Sequence, residues 1–346
     1  MNIIVLAGGL STERDVSIST GTQVCEALRQ RGHQAAMLDV FLGYKGEISE
    51  NFFVRNDAFR DSIGEIKKED PDLKELKKMR GEAADGFFGP GVIALCRMAD
   101  IVYMALHGAE GENGKVQAAF DLLGIHYTGS GYLGSAVAMD KGLSKKIFMV
   151  EGIPTPKGYT VTKNEAYTVP ETMRYPLVVK PCCGGSSVGV SIVDNESEYH
   201  TALEAAFRYE DEVVVEECIK GREFSVGVLG GESLPVIEII PKTGFYDYET
   251  KYQPGMAQDV CPAELSEDKS SQMRDYAVKV FDALKLETYG RIDFLMDEKG
   301  ELYCLEANTL PGMTPTSLLP QEAAADGMDY GALCEEIISL ALEKND

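Results

Sequence analysis

Between Arg291 and Asn308 the chain spells an apolar strand carrying Arg291 and Asp293, a turn at Gly300, and a second strand ending Cys304-Leu305-Glu306-Ala307-Asn308. That pattern is a hairpin with a donor set written across it. Glu306 and Asn308 stand two apart, so on a strand their side chains leave the same face. Asp293, Glu306 and Asn308 offer hard oxygen donors only, which suits Mg2+ rather than zinc. Because Mg2+ shares its shell with substrate phosphates, a site with so few carboxylates points to a nucleotide and not to a dedicated metal cage. An ordinary acidic hairpin face would look the same in isolation, so the surrounding motifs have to decide.

At 346 residues the chain is long enough for two or three domains, each with its own core. Its formal charge of -23 would repel a phosphate backbone or an anionic membrane over most of the exterior, which argues against nucleic-acid and membrane partners. A few cations gathered in a cleft can still set a local field that accepts an anionic small molecule. The eight cysteines form no CxxC pair and lie mostly in apolar stretches, as reduced core residues do. The N-terminus enters a strand directly at Asn2-Ile3-Ile4-Val5, with no basic leader or membrane-length apolar run. A cytoplasmic protein is the expectation.

The first segment reads as a strand from Ile3 to Ala7, a helix from Val16 to Arg31 and a strand from Ala35 to Val40, which with the run Ile101 to Leu106 implies a parallel α/β sheet. The polar stretch 43–91 reads as a partly helical surface excursion. A helix from Leu133 to Glu151 precedes Ile153-Pro154-Thr155-Pro156, where a break is expected. Strands at Leu177 to Lys180, Val188 to Val193 and Val213 to Glu217, with a helix from Glu196 to Tyr209, make a small α+β unit. Strands at Phe224 to Leu229 and Leu234 to Ile240, a loop 243–261, a helix from Glu267 to Lys285, the hairpin, and a helix from Tyr330 to Lys344 complete a third unit. The expected domains are 1–135, 136–222 and 223–346.

Lys180 stands at a strand end before Pro181-Cys182-Cys183-Gly184-Gly185-Ser186-Ser187-Val188-Gly189, a loop whose glycines let backbone N–H groups approach an anion and whose hydroxyls add donors. It matches neither the Walker order nor the dinucleotide fingerprint, and a bland turn would leave Lys180 and the serine pair unexplained. The acidic connection Glu216-Glu217-Cys218-Ile219-Lys220-Gly221-Arg222-Glu223 suits nucleotide amino and hydroxyl groups, although the signal is weak alone. Lys141, Lys180, Lys251 and Arg291, each unremarkable as a surface cation, together form a candidate triphosphate cradle beside the acidic hairpin.

At this point the motifs match a family. Gly8-Gly9-Leu10-Ser11-Thr12-Glu13-Arg14, His107-Gly108-Ala109-Glu110-Gly111-Glu112-Asn113-Gly114, Tyr127-Thr128-Gly129-Ser130-Gly131, Met139-Asp140-Lys141, the loop after Lys180, Lys251-Tyr252, Arg291-Ile292-Asp293 and Glu306-Ala307-Asn308-Thr309-Leu310-Pro311-Gly312-Met313-Thr314 follow in one order. The chain resembles the D-alanine:D-alanine ligases of the ATP-grasp superfamily from residue 3 to about residue 325. The resemblance implies a parallel α/β domain followed by two α+β lobes that clasp the nucleotide. It also implies an ATP-dependent ligase for peptidoglycan precursors, in which one D-alanine carboxylate attacks the γ-phosphate. The acyl phosphate is then attacked by the amine of a second D-alanine. Asn113, Ala118 and the Cys182-Cys183 pair depart from the usual pattern without removing a catalytic group, and vicinal cysteines raise the question of oxidation sensitivity.

By the same likeness, Glu13 would hold the first substrate's ammonium with His107 and Ser186 nearby, and Arg291 with the N–H of Gly312 would form the oxyanion site. Lys251, Ser317 and the backbone at Leu318 would take the second substrate's carboxylate. Lys141, Lys180, Ser186, Ser187, Glu216, Ile219, Glu223 and Lys251 would take ATP, and Asp293, Glu306 and Asn308 two Mg2+, with Mn2+ as a substitute. His107 could equally be a satisfied buried histidine and Ser317 a helix N-cap. The loop 243–261, carrying Tyr246, Tyr248, Lys251 and Tyr252, would be a lid that excludes water from the acyl phosphate. Tyr252 with Leu318 resembles users of D-alanine rather than of D-lactate or D-serine at the second site. The class-level alternative is an ATP-grasp protein that only binds nucleotide, which should have lost the metal or oxyanion residues. The resemblance further implies a homodimer through the first domain.

Overall fold

The computed structural model describes residues 1–55, 73–81, 86–164, 167–185, 189–241 and 257–344. Among these residues there are three sheets, and each follows from a different hydrophobic pattern. The uninterrupted apolar runs of β1 (Asn2–Ala7), β2 (Gln34–Asp39) and β3 (Ile101–Met104) are those of strands covered on both faces. They form a parallel sheet in the order β2-β1-β3. The helix α1 (Arg14–Gln30) packs on β1 and β2. In the excursion, α2 (Asn51–Arg55) and α3 (Leu73–Arg80) are helical, as the sequence suggests, and α4 (Val92–Met98) precedes β3.

After α5 (Ala109–Glu112) and α6 (Lys115–Leu123), the expected single helix from Leu133 to Glu151 is two: α7 (Tyr132–Met139) and α8 (Lys141–Glu151). The break is at Asp140, whose ψ of 97° leaves the helical region and whose carboxylate accepts the N–H of Leu143 as an N-cap. That turn makes Lys141 the first residue of α8, free to point out of the helix axis toward the loop after Lys180. Four strands, β4 (Gly158–Thr162), β5 (Leu177–Pro181), β6 (Ser191–Val193) and β7 (Glu212–Glu217), then form an antiparallel sheet in the order β4-β7-β5-β6, with α9 (Glu196–Ala206) on it.

The third sheet is built from β8 (Gly221–Leu229), β10 (Ile237–Pro241), β11 (Ala257–Val260), β12 (Tyr289–Asp297) and β13 (Leu302–Asn308) in the order β11-β10-β8-β12-β13, with β9 (Glu232–Ser233) beside β8. The expected strand from Leu234 to Ile240 is shorter, because Pro235 cannot donate to a ladder, and β10 is Ile237–Pro241. Part of the expected loop 243–261 is regular: β11 (Ala257–Val260) pairs with β10, Asp259 facing Ile239. Residues 242–256 lie outside the described residues, and with them Tyr246, Tyr248, Lys251 and Tyr252. The helix α10 (Glu267–Ala283) covers the face opposite the hairpin donors, and β12 (Tyr289–Asp297) pairs antiparallel with β13 (Leu302–Asn308), setting Asp293 against Glu306 and Arg291 against Asn308. A short helix that the sequence reading missed, α11 (Leu318–Ala325), leads into α12 (Tyr330–Glu343).

The cores interleave along the chain. Leu333, Ile337 and Ile338 of α12 bury against the N-terminal sheet, and Ala138 and Phe148 of α7 and α8 bury against α10 and the third sheet. Each unit is therefore fixed to another by helices that leave it in sequence. Among the described residues no helix is long and apolar enough to cross a membrane. Phe224 is fully buried between β8 and α10, on the strand face opposite Ser225 and the hairpin donors. Phe224→Ala should cost about 3–5 kcal/mol of unfolding free energy, read as a lowered urea midpoint with an unchanged slope.

Candidate active site

The N-terminal contribution begins where the parallel strands end. Ser17 fastens the turn after β1, its hydroxyl accepting from the N–H of Gly8 (2.9 Å) and donating to the carbonyl of Ala105 (2.6 Å). Arg14 bonds the Gly9 carbonyl and forms a buried ion pair with Asp39. Ser11 donates to the His107 carbonyl at 2.7 Å. These ties hold Glu13, 8% exposed, at the carboxyl end of the sheet, where open α/β sheets place their ligands.

Gly108, at φ +88°, has no room for a side chain, since a Cβ there would meet the Ser11 Cβ at 2.6 Å. His107 before it is satisfied on both nitrogens. Its Nδ1 lies 3.0 Å from the Leu310 carbonyl and its Nε2 3.1 Å from the Thr20 hydroxyl. A carbonyl can only accept, so Nδ1 carries the proton and Nε2 accepts from Thr20. Burial lowers the imidazole pKa against the pull of Glu13, which keeps the ring neutral. The satisfied buried histidine and the site residue are thus one and the same: His107 lines the pocket and fastens the first sheet to the loop after the hairpin.

On the hairpin, Arg291 grips Asp293 with two bonds, Nε to Oδ1 at 2.9 Å and Nη2 to Oδ2 at 2.8 Å. Asn308 donates to Asp293 Oδ2 at 3.0 Å and Ser225 to Oδ1 at 2.8 Å. Glu306 faces Lys141, whose Nζ lies 3.2 Å from Oε2 and donates at 2.6 Å to the carbonyl of Gly184. Burial disfavours the charged form of Lys141, but Glu306 overcomes it and the net shift is upward. Among the described residues no three His, Cys, Asp or Glu side chains form a self-sufficient metal cage. Two carboxylates and a carboxamide on alternate rungs, and so on one face, nevertheless fit a hard cation that completes its shell with water and phosphate oxygens.

Two cavities meet at this hairpin. One, about 180 Å3, is lined by Glu13, His107, Arg291, Asn308, Gly312 and Ser317. The other, about 640 Å3, lies between the second and third sheets, with apolar walls from Val178 and Ile192 on one side and Ile239 and Leu295 on the other. Lys141, Gly184, Gly185 and Glu306 line both. The larger cavity falls within the range of small-molecule pockets and the smaller below it, so the shared wall is where the reactive ends of a large and a small ligand would touch.

Lys141, Lys180, Glu216, Ile219 and Glu223, expected on the nucleotide, all line the larger cavity. Glu216 does so as the centre of a buried triad, 2.5 Å from Lys180 and 2.7 Å from Lys145. Burial would raise its pKa, yet the two lysines together pull it below the usual value. Both of its oxygens are committed to lysines, so neither is left over for a ligand's donors. Ser186, Ser187, Lys251 and Tyr252 lie outside the described residues. Ser317 stands at the N-cap position of α11 without making the capping bond; its hydroxyl accepts the N–H of Thr314 at 3.1 Å, toward Gly312. The thiols of Cys182 and Cys183 are pushed up to about 12 and about 11 by burial, with Glu210 and Asp140 adding to it, so neither is the thiolate that ready oxidation requires.

Three carboxyls were missed. Glu112 accepts the N–H of Gly108 at 2.8 Å beside Glu13, and burial raises it to about 8. Glu322 is fully buried against the bare backbone of Gly227, and burial raises it to about 8 against the pull of Arg291. Asp259 lines the smaller cavity. The glycine before Glu112 was a visible signal; the other two sit in segments that sequence reading took for a loop or did not assign.

Family models of the D-ala D-ala ligase N-terminus and C-terminus match residues 2–130 and 147–339. The chain belongs to the D-alanine:D-alanine ligase family. It is 47% identical over 345 residues to the D-alanine:D-alanine ligase of Lacticaseibacillus casei (strain BL23), covering 98% of this chain and 95% of that one. The Pediococcus pentosaceus ligase is 46% identical over 343 residues, 98% and 97% of the two chains. Among solved structures, the Bacillus anthracis ligase complexed with ATP aligns with a TM-score of 0.77 at 32% identity over 99% of this chain and 98% of that one. The Coxiella burnetii ligase gives 0.78 at 27% identity over 99% and 94%. The ligase family, the ATP-grasp fold and the ADP-forming enzyme class expected from the sequence therefore stand. Within that family the buried triad is open to test. Glu216→Gln leaves Lys145 and Lys180 sharing a neutral amide, and should lower unfolding free energy by about 3–5 kcal/mol while weakening ATP binding, measured by thermal denaturation and titration calorimetry.

Proposed function

We propose that this chain joins two D-alanines at the expense of ATP through an acyl phosphate, for peptidoglycan precursors, and that the junction of the two cavities is where phosphoryl transfer happens. The carrying observation is Lys141, which touches the loop after Lys180 and the hairpin at once. Glu13 holds the ammonium of the first D-alanine in the smaller cavity, with His107 and Ser186 near it and the substrate's carboxylate toward the shared wall. Lys141, Lys180 and the backbone at Ile219 hold ATP in the larger one with its γ-phosphate toward the same wall, Glu223 lying beside it. Two Mg2+ on Asp293, Glu306 and Asn308 would neutralise phosphate charge as the transfer proceeds, and Mn2+ has the same preference for oxygen donors.

Once the acyl phosphate is made, Arg291 and the N–H of Gly312 face the acyl oxygen, where charge develops as the second amine attacks. Ser317 and the N–H of Leu318, with Lys251, take the second substrate's carboxylate. Leu318 offers that pocket only an apolar side chain, which leaves a D-serine hydroxyl without a partner there and supports D-alanine as the second substrate. Residues 243–261, with Tyr252, would close over the site. We further assign residues 1–135, 136–222 and 223–346 as the working units and a homodimer through the first.

Incubation with ATP, Mg2+ and single amino or hydroxy acids should release phosphate with D-alanine, and higher kcat/KM for D-serine or D-lactate at the second site would overturn the specificity. Arg291→Ala should keep ATP binding nearly intact by calorimetry and lower turnover by roughly a hundredfold or more. Unchanged turnover would remove Arg291 from the oxyanion site.

A further inference from the structure

We propose that Asp259 is a specificity-determining residue, which selects an amine over a hydroxyl in the second substrate by holding its ammonium; this rests on the ligase reading above. Asp259 lies on β11 and lines the smaller cavity together with Arg291, Ser317 and Leu318. Its place is fixed by Gln321 of α11, whose amide donates to Asp259 Oδ2 and to the carbonyl of Thr316, each at 2.9 Å. The other oxygen, Oδ1, is buried and has no hydrogen-bond partner among the described residues. A carboxylate is thus built into the wall one loop away from Ser317, with one oxygen anchored by a neutral amide and the other unmatched.

That arrangement makes little sense for an anion. The Ser317 hydroxyl and the first N–H groups of α11 are donors suited to a carboxylate, and a second negative charge beside them would repel a simple hydroxy acid anion. An amino acid is different, because its ammonium sits one carbon from its carboxylate and can meet Asp259 while the carboxylate meets Ser317. Partial burial raises the Asp259 pKa and the Gln321 amide opposes that rise. Attraction for the zwitterion and repulsion of the anion then act in the same direction, so one residue contributes to both halves of the discrimination. D-serine carries the same ammonium, and Asp259 should not distinguish it from D-alanine.

The test is the full-length enzyme with saturating ATP and D-alanine in the first site, with the dipeptide and the ester formed from D-lactate quantified by mass spectrometry. Asp259→Asn keeps the shape and removes the charge. The KM for D-alanine at the second site should rise with a smaller change in kcat, and the preference for D-alanine over D-lactate should fall by roughly tenfold or more, with KM at the first site and the Kd for ATP unchanged. Asp259→Glu, which keeps the charge, should retain much of the preference, and it serves as the comparison if the asparagine variant does not fold. A preference unchanged in Asp259→Asn, whether both products fall together or neither does, overturns the role, as does loss of the preference in Asp259→Glu equal to that in Asp259→Asn. Dipeptide formation by the unaltered enzyme separates this from the ligase reading: its absence sinks that reading, and its presence with an unmoved preference sinks only Asp259.

Discussion

One lysine holds the two cavities to a common wall. Lys141 opens α8, donates to the Gly184 carbonyl in the loop after Lys180, and pairs with Glu306 on the hairpin. The other end of the same helix is anchored by Phe148 in the core of the third sheet. A shift of the helix would separate the loop from the hairpin, and a transfer that needs reacting atoms close and aligned would lose its geometry.

The charge pattern explains how a chain with a net charge of -23 can present cations to a polyanion. Lys141 is matched by Glu306, Lys180 and Lys145 by Glu216, and Arg291 by Asp293. Each cation in this partly dry cleft has a carboxylate beside it, and a phosphate arriving there can share or replace that partner at small cost compared with filling a bare site. The two hairpin carboxylates so employed are also the hard donors of the proposed metal site, so occupation by a divalent cation would release Arg291 and Lys141 toward substrate.

Much of this was legible in the sequence where spacing alone dictates geometry. Glu306 and Asn308, two apart on a strand, face Asp293 and Arg291 across the hairpin as alternation requires. The apolar runs of β1 and β3 gave the parallel sheet for the same reason. What could not be read depended on contacts distant in sequence. His107 is held by Leu310, about two hundred residues on, and Glu216 by a lysine of α8 that no local pattern marks. The break at Asp140 was hidden because helix propensity runs through it, and only the cap betrays it. Asp259 was concealed in a stretch read as loop, since four residues of edge strand carry too little periodicity to declare themselves.

The central claim is that a carboxylate oxygen of the amino acid attacks phosphorus at the wall shared by the cavities. D-alanine labelled with 18O in its carboxylate, turned over with ATP and Mg2+, tests it by mass analysis of the released phosphate. Each peptide bond formed should transfer one labelled oxygen to phosphate and leave ADP unlabelled. Phosphate free of label, with both oxygens retained in the amino acid or passed to a nucleotide monophosphate, would contradict the account.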